Sequence, residues 1–404
     1  MKASLLRIAL VLGLIQAIGP FAIDMYLPAL PSIGASLDAG VDSVQASLTV
    51  FFVALAMGQL LYGPVSDMVG RKLPLYFGLG LFAAASVGCA LARDVQTLVV
   101  FRFVQGLGAC ACFAIPRAIV RDLHTGVEAA RLMSMLMLVF SVAPIVAPMA
   151  GSLVAEWVGW RGIFWTVAAL ALVGIGMTAG LLAETRPPHK RVDRGLRNVL
   201  AAYRLVLSDG RFLALVSVGA FGVASFHAYL AGSSFALIDH YGFTPRQYSI
   251  AFSINAISFI GAAQFTSRLG ARHGLGTVVR RAAVGYAAAM TLLLALYLLG
   301  VDRVEVLLVL LFIGYGFLGL VIPATSVLAL DRHGANAGTA SSLIGTFQFV
   351  CGAVVIAVSG LFTDGTALPM VAGIAVCALC ALAIAWLALG TARRPEGTAE
   401  RFAR

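Results

Sequence analysis

Charge is scarce in this sequence. Only 11% of the residues are Asp, Glu, Lys or Arg, where a soluble domain carries roughly a quarter. Lysine is almost missing: Lys2, Lys72 and Lys190 are the whole complement. A water-facing globular surface cannot be built from so few charges. Cysteine is also sparse. Cys89, Cys110, Cys112, Cys351, Cys377 and Cys380 all fall inside apolar runs, and no second Cys or His pair completes the Cys377-x-x-Cys380 spacing as a zinc site. No metal and no cofactor are expected, and the cysteines read as small residues that let helices pack closely. H-E-x-x-H, G-x-S-x-G and G-x-x-x-x-G-K-[ST] are absent too. Their absence argues against an intramembrane enzyme and against a self-contained ATP-driven pump.

What fills the chain instead is hydrocarbon. Sixty per cent of the residues are hydrophobic, and the mean hydropathy is +0.96. Apolar segments at 6–30, 46–66, 73–92, 96–117, 131–155, 161–182, 212–237, 247–268, 277–299, 305–330, 337–361 and 367–389 are each long enough to cross about 30 Å of bilayer core. The expected fold class is therefore an all-α polytopic membrane protein with twelve transmembrane helices, and the lipid bilayer is its first partner. An even number of spans puts both termini on one side. Of the 28 basic residues, 23 fall on that side, with only Arg93, Arg161, Arg246 and Arg303 opposite and Arg102 inside a span. By the positive-inside rule the richer side is cytoplasmic. The net charge of +10 is thus a topology signal, not a nucleic-acid footprint. The first run is read as an uncleaved helix, since it carries Asp24 and lacks a small-x-small cleavage site.

One stretch, 184–211, breaks the hydrophobicity. Arg186-Pro-Pro-His-Lys-Arg191 reads as a solvated linker, and Leu196, Val199, Leu200, Tyr203, Val206 and Leu207 recur at helical spacing as in an amphipathic helix on the membrane face. The expected division is an N-terminal six-helix bundle over 1–183, this linker, and a C-terminal six-helix bundle over 212–404. The halves also resemble each other. Gly63-Pro-Val-Ser-Asp67-Met-Val-Gly70-Arg71-Lys72 follows the second span, and Ala263-Gln-Phe-Thr-Ser267-Arg268-Leu-Gly270-Ala271-Arg272 follows the eighth. Repeats of one orientation imply two bundles about an axis along the membrane normal, with the substrate site between them.

Two features carry chemistry on their own. From Ile8 to Pro31 the single ionisable side chain is Asp24. A carboxylate at bilayer depth points to an ion or substrate site facing a protein-lined cavity; the alternative is a residue just outside the hydrocarbon that caps a turn near Pro28. The second feature is the Gly63–Lys72 loop. Asp67 lies near a helix C-terminus, where the macrodipole disfavours an anion, so it needs a partner. Arg121, or the N-terminus of the eleventh helix near Asn336 to Thr339, would make it a conformational latch. The alternative is a tight turn in which Arg71 and Lys72 merely set topology.

These motifs also carry a resemblance. The loop pattern G-x-x-x-D-x-x-G-R-K resembles that of the major facilitator superfamily, as does Arg102-Phe-Val-Gln-Gly106 in the fourth span. Asp24-Met-Tyr-Leu-Pro-Ala-Leu-Pro31 and Trp160-Arg-Gly-Ile-Phe164 are similar to segments of its drug:proton antiporters, most of all the Bcr/CflA branch for bicyclomycin, chloramphenicol and sulfonamide resistance. The resemblance implies the major facilitator fold, a monomer in the bacterial inner membrane, and proton coupling at Asp24 with Arg102. Ala143-Pro144-Ile-Val-Ala-Pro148-Met-Ala150-Gly151 is close to the fifth-helix motif of the antiporters, with Ala143 and Ala150 where glycines are usual. In a related multidrug transporter a second acidic residue stands about two turns before the equivalent of Asp24; here that place is Gln16, which implies a single-carboxylate site.

Arg102 near Asp24 would hold that carboxyl's pKa down, whereas burial alone would push it up; otherwise it would tie carbonyls of neighbouring helices. His227, Asn255, Gln264 and Gln348 are polar residues at depth, and Phe21, Tyr26, Phe51, Phe52 and Phe226 are candidates to line an apolar pocket; each has packing or an interhelical hydrogen bond as its plainer reading. Together these features favour a secondary transporter that exports hydrophobic or amphiphilic small molecules from the cytoplasm in exchange for protons. A proton-coupled symporter importing a small metabolite on the same fold is the alternative, because fold does not set direction.

Overall fold

A computed structural model of the chain describes residues 2–124, 126–187 and 196–390. Among these residues the regular structure is helical, with no strand, and twelve helices are long and apolar enough to cross a membrane. The first span is α1 (Lys2–Asp24) followed, after a 3-10 turn at Leu27–Ala29, by α2 (Leu30–Ser36). Next come α3 (Val41–Val69), α4 (Lys72–Leu91), α5 (Val95–Leu123), α6 (Gly126–Val158) and α7 (Trp160–Leu181). A short α8 (Leu196–Leu207) leads into α9 (Gly210–Ser234), which ends in a π-helical turn at Phe235–His240. The eighth span is α10 (Pro245–Ala263) with α11 (Thr266–His273), and the last four are α12 (Leu275–Leu298), α13 (Val304–Leu330), α14 (Ala337–Leu361) and α15 (Leu368–Gly390).

Local chemistry sets several of these ends. Asp94 caps α5 by accepting from the Thr97 amide at 2.7 Å, and Thr244 with Gln247 forms a capping box on α10, each satisfying amides that a helix start leaves free. Gly70 ends α3 at φ +100°, a conformation that a side chain would resist. The repeat departs from its sequence match here. Gly270 lies within the short α11, and the left-handed turn falls four residues later at Gly274, φ +78°.

In the first half α5 packs between α3 and α4, and α1 lies on α6 and α7; in the second, α9 packs on α13 and α15, and α12 on the same two. The halves meet along two seams, α3 with α14 and α6 with α10. Lipid offers helices no hydrophobic reason to associate, so close approach at small residues has to hold them. Gly151 of α6 is the tightest case in the first bundle: a Cβ there would stand 2.2 Å from the carbonyl oxygen of Met25. The fifth-helix motif therefore packs closely on the end of α1 even with alanines at 143 and 150.

On the side away from the termini, side chains hydrogen-bond across the seams to main-chain carbonyls. Gln45 donates to Ala231 at 3.1 Å, Ser234 to Leu27 at 2.6 Å, Ser249 to Pro148 at 2.9 Å and Ser253 to Ile145 at 2.8 Å. The short α8 packs beside α3 and α14. Val206 is buried, and the Tyr203 hydroxyl donates to the Leu60 carbonyl of α3 at 3.2 Å. Just beyond it, Asp209 caps α9 and meets His333 of the α13–α14 turn at 3.0 Å.

Gly151→Ala should lower thermal stability in detergent by about 1–3 kcal/mol through overpacking against Met25. Gly176→Ala, at a glycine with nothing within 4 Å of an added Cβ, should not. Equal melting shifts would show that the α1–α6 approach is unimportant.

Candidate functional site

Asp24 is the last residue of α1, at the break before the 3-10 turn. It is 5% exposed. Among the described residues its carboxyl makes no hydrogen bond and no ion pair. The turn that follows packs on both α9 and α10. The residue lies at the junction of the halves, level with the far-side hydrogen bonds. An ionised carboxylate without a partner at depth costs about 2.5–3.5 kcal/mol or more, so this position favours the protonated form.

Arg102 of α5 lies close by but is engaged otherwise. It is fully buried. Nη1 donates to the Ala22 carbonyl at 3.2 Å and to Gln105 Oε1 at 2.6 Å. The guanidinium also sits over the rings of Tyr26 at 4.5 Å and Phe51 at 4.2 Å, a favourable cation–π arrangement. Gln105 in turn donates to Ser86 of α4 at 2.7 Å, and the Tyr26 hydroxyl meets Ser47 of α3 at 2.8 Å. Instead of an Asp24–Arg102 pair, the structure shows an arginine tied to the last turn of α1 through a carbonyl and two rings. Its Nε and Nη2 are buried without partners. Gln16, fully buried on α1, has neither amide atom bonded.

The Gly63–Lys72 loop is a charge network, but its partners differ from those expected. Asp67 pairs with Arg71 at 2.8 Å and with Arg186 at 2.8 Å. It pairs neither with Arg121 nor with the α14 N-terminus. The cause is chain geometry: Arg71 is one turn past Asp67, and the segment after α7 carries Arg186 back over the loop. Arg186 is thus 18% exposed and paired, not solvated; Lys190 and Arg191 of that stretch lie outside the described residues. Arg71 also binds Asp122 at the end of α5, at 2.7 Å. Burial works against the Arg71 charge, yet the hydrogen bond and field of Asp122, followed by Asp67, raise its pKa further. Glu184 closes the network by accepting from the amides of Arg71 at 2.9 Å and Lys72 at 3.0 Å. A carboxylate there offsets the free amides and the dipole at the start of α4. Lys72 Nζ donates to the Leu182 carbonyl at 2.8 Å. Arg121 is exposed and turned toward Gly338 of α14, 4.0 Å from where a Cβ would be, and Gly63 faces Ser342 of the same helix.

Of the remaining candidates, two lie on the seam. His227 of α9 stacks on Phe52 of α3 at 4.1 Å and meets Phe349 of α14 at 6.0 Å. Its Nδ1 is buried without a partner against Gly352, where a Cβ would stand 2.0 Å away. Asn255 instead belongs to the second bundle, donating to Tyr229 at 3.1 Å with its Oδ1 unbonded. Phe226 packs among Tyr229, Phe252, Phe259 and Tyr315 of that bundle, and Gln264 is exposed. Pro144 and Pro148 sit within a continuous α6 whose Ile145 and Pro148 carbonyls accept from α10. Sequence reasoning missed Asp122, Glu184 and Arg186. Only the acid next to Arg121 and the acid closing the sixth span offered a signal.

Comparison with known proteins gives a consistent picture. The sequence profile described as Major Facilitator Superfamily matches residues 12–356. An uncharacterized MFS-type transporter, YdgK of Bacillus subtilis (strain 168), is 36% identical over 90% of this chain and 91% of its own. A bicyclomycin resistance protein homolog of Haemophilus influenzae is 30% identical over 91% and 92%. Among solved structures, a point mutant of the nucleoside transporter NupG superposes with a TM-score of 0.76 at 15% identity, covering 96% of this chain and 100% of that one; at that identity the likeness concerns the fold.

Asp122→Asn should cost about 1–3 kcal/mol of thermal stability, because it leaves the buried Arg71 half paired. Arg121→Gln should stay within about 0.5 kcal/mol of the parent. The reverse order would mean that Asp67 is held by Arg121 after all.

Proposed function

From the premise that this chain belongs to the major facilitator superfamily, we propose that it exports small amphiphilic compounds from the cytoplasm in exchange for protons, with Asp24 as the proton carrier. That it is a multi-pass transporter and not an enzyme follows from the family match and from relatives named as resistance proteins. The single observation behind the coupling reading is Asp24 itself, buried and without a hydrogen-bond partner where the halves meet. Such a group changes its proton affinity greatly when the cleft around it opens to water, which is what a coupling site requires.

In the cycle, the termini face the cytoplasm, as the basic loops favour. The far-side hydrogen bonds break, the site opens to the periplasm, and Asp24 takes a proton there. The halves then rock back, and cytoplasmic substrate displaces the proton as it enters. Arg102 acts as a positioning group, holding the last turn of α1 through Ala22. Each proton that moves inward through about 100 mV contributes about 2.3 kcal/mol to export. The substrate meets the seam residues Phe52, His227 and Phe349, with Tyr26 and Gln16 nearer Asp24. The network of Asp67, Arg71, Asp122 and Arg186 keeps the loop, α5 and the linker together as the halves move.

The test is drug-driven proton release. Chloramphenicol, named for a relative in Pseudomonas aeruginosa, is added to the weakly buffered, detergent-solubilised protein between pH 5 and 9. The parent should release protons and Asp24→Asn should release none. Release of the same size from the variant would remove Asp24 from the mechanism.

A further inference from the structure

Arg117 is a cation on the apolar stretch of α5 to which the cycle above gives no role. Its Nε is closed off from solvent without a partner, and among the described residues the side chain has no ion pair. Arg121, a like charge, stands one turn further along the same helix. The nearby acids are already taken: Asp67 and Asp122 by Arg71 and Arg186, and Glu128 by His124 at 2.9 Å.

Its position on the helix decides what it faces. Arg117 lies one turn past Phe113 and two turns past Cys110, on one face. The Phe113 ring meets Phe140 of α6 at 6.1 Å and Phe349 of α14 at 6.3 Å, while Cys110 leans on the Leu55 carbonyl of α3 at 3.6 Å. That face therefore looks into the seam where α3, α6 and α14 converge. Phe52 and Phe349 stack there at 6.0 Å. The result is an aromatic wall with a bare guanidinium one turn toward the termini side.

Arg117 is partly buried, with its Nε closed off and its two Nη groups still accessible, so the fork has no counter-charge at rest and is free to take one during the working cycle. The best fit to its planar fork is an oxyanion accepting two parallel N–H bonds, and the best fit to the wall beside it is a flat ring. We propose that Arg117 with Phe113 and Phe349 forms a substrate site for aromatic amphiphiles that carry an ionised acidic group. This assignment rests on the transport reading and narrows it, since Asp24 and Arg102 alone suit neutral compounds or weak bases. Arg117 follows Arg102 by fifteen residues of α5, about 22 Å at 1.5 Å per residue. The anion and the proton are thus held at separate places, and their exchange is set by conformation.

Binding to the full chain in phosphatidylcholine nanodiscs tests this, by equilibrium dialysis with 1-naphthoate, its methyl ester and 1-naphthyltrimethylammonium. The naphthoate should bind about tenfold tighter than the ester, with the ammonium compound weakest, as expected for a charge-assisted bidentate contact. Arg117→Gln should abolish that preference and Arg117→Lys should keep part of it. An ester that binds as well as the acid, or a preference that survives Arg117→Gln, overturns the site. The ranking of the three probes on the parent stands even where a variant fails to fold. A preference lost in phosphatidylglycerol-rich discs would assign the guanidinium to a lipid phosphate and also overturn it. Asp24→Asn should keep the naphthoate preference while losing chloramphenicol-driven proton release, and Arg117→Gln should do the opposite. If the parent shows the preference but releases no protons, the antiport reading fails and the anion site remains.

Discussion

A buried carboxyl group with no cation paired to it among the described residues is the constraint on which this structure turns. In soluble proteins a buried acid usually finds a donor. Here the arginine that reaches the last turn of α1, Arg102, is spent on a carbonyl, a glutamine and two aromatic rings. The consequence is directional. If Arg102 paired with Asp24, the acid would stay ionised through the cycle and carry nothing. With the arginine held aside, the acid keeps an affinity for protons that depends on whether the cleft around it is wet or dry. The proposed coupling then needs no moving ion pair, only a change in solvent access.

That change needs a joint, and the packing shows where it lies. Within the first bundle the contacts are tight: a Cβ at Gly151 would strike the Met25 backbone, and one at Gly106 would reach 2.6 Å from the Phe51 carbonyl. Such interfaces have little room to slide. α1, with Asp24 at its end, therefore travels with α6 as one body. The proposed motion is then left to the two seams, where ring contacts such as Phe52 with Phe349 stand beside hydroxyl and amide groups on carbonyls.

Much of this was legible in the sequence. The twelve spans follow from hydrocarbon length alone, and the ends differ from expectation by a few residues where helices run past the apolar window, as α2 does to Ser36 and α3 from Val41. Asp24 was visible because it is the lone charge in its segment. The loop network was half visible. Its motif announced Asp67, Gly70 and Arg71, but the partners Arg186 and Glu184 lie more than a hundred residues downstream and are brought in by the chain returning after α7. No local spacing encodes that return. Arg117 was hidden for a different reason. Near a span end it counts as one more topology-setting charge, and only the seam geometry separates it from its solvated neighbour Arg121. Arg102 was placed correctly at depth, yet its engagement depends on ring faces that a pattern cannot orient.

The division between charged and neutral contacts supports the same picture of motion. The ion pairs of the loop network join α3, α5 and the segment after α7, all of the first half and the start of the linker. None of these pairs crosses a seam. What crosses on the far side is four neutral hydrogen bonds among the described residues. At about 0.5–1.5 kcal/mol each, they sum to roughly 2–6 kcal/mol. Reversing a two-state population from 1:99 to 99:1 takes about 5.5 kcal/mol, and protonating one unpartnered acid at depth changes its cost by about 2.5–3.5 kcal/mol. The closed side is therefore held by an amount that binding and protonation can overturn. The loop's described ion pairs thus stay within the first half and the linker, while the far side is joined by neutral hydrogen bonds to carbonyls, the kind of contact that the proposed cycle has to break and remake.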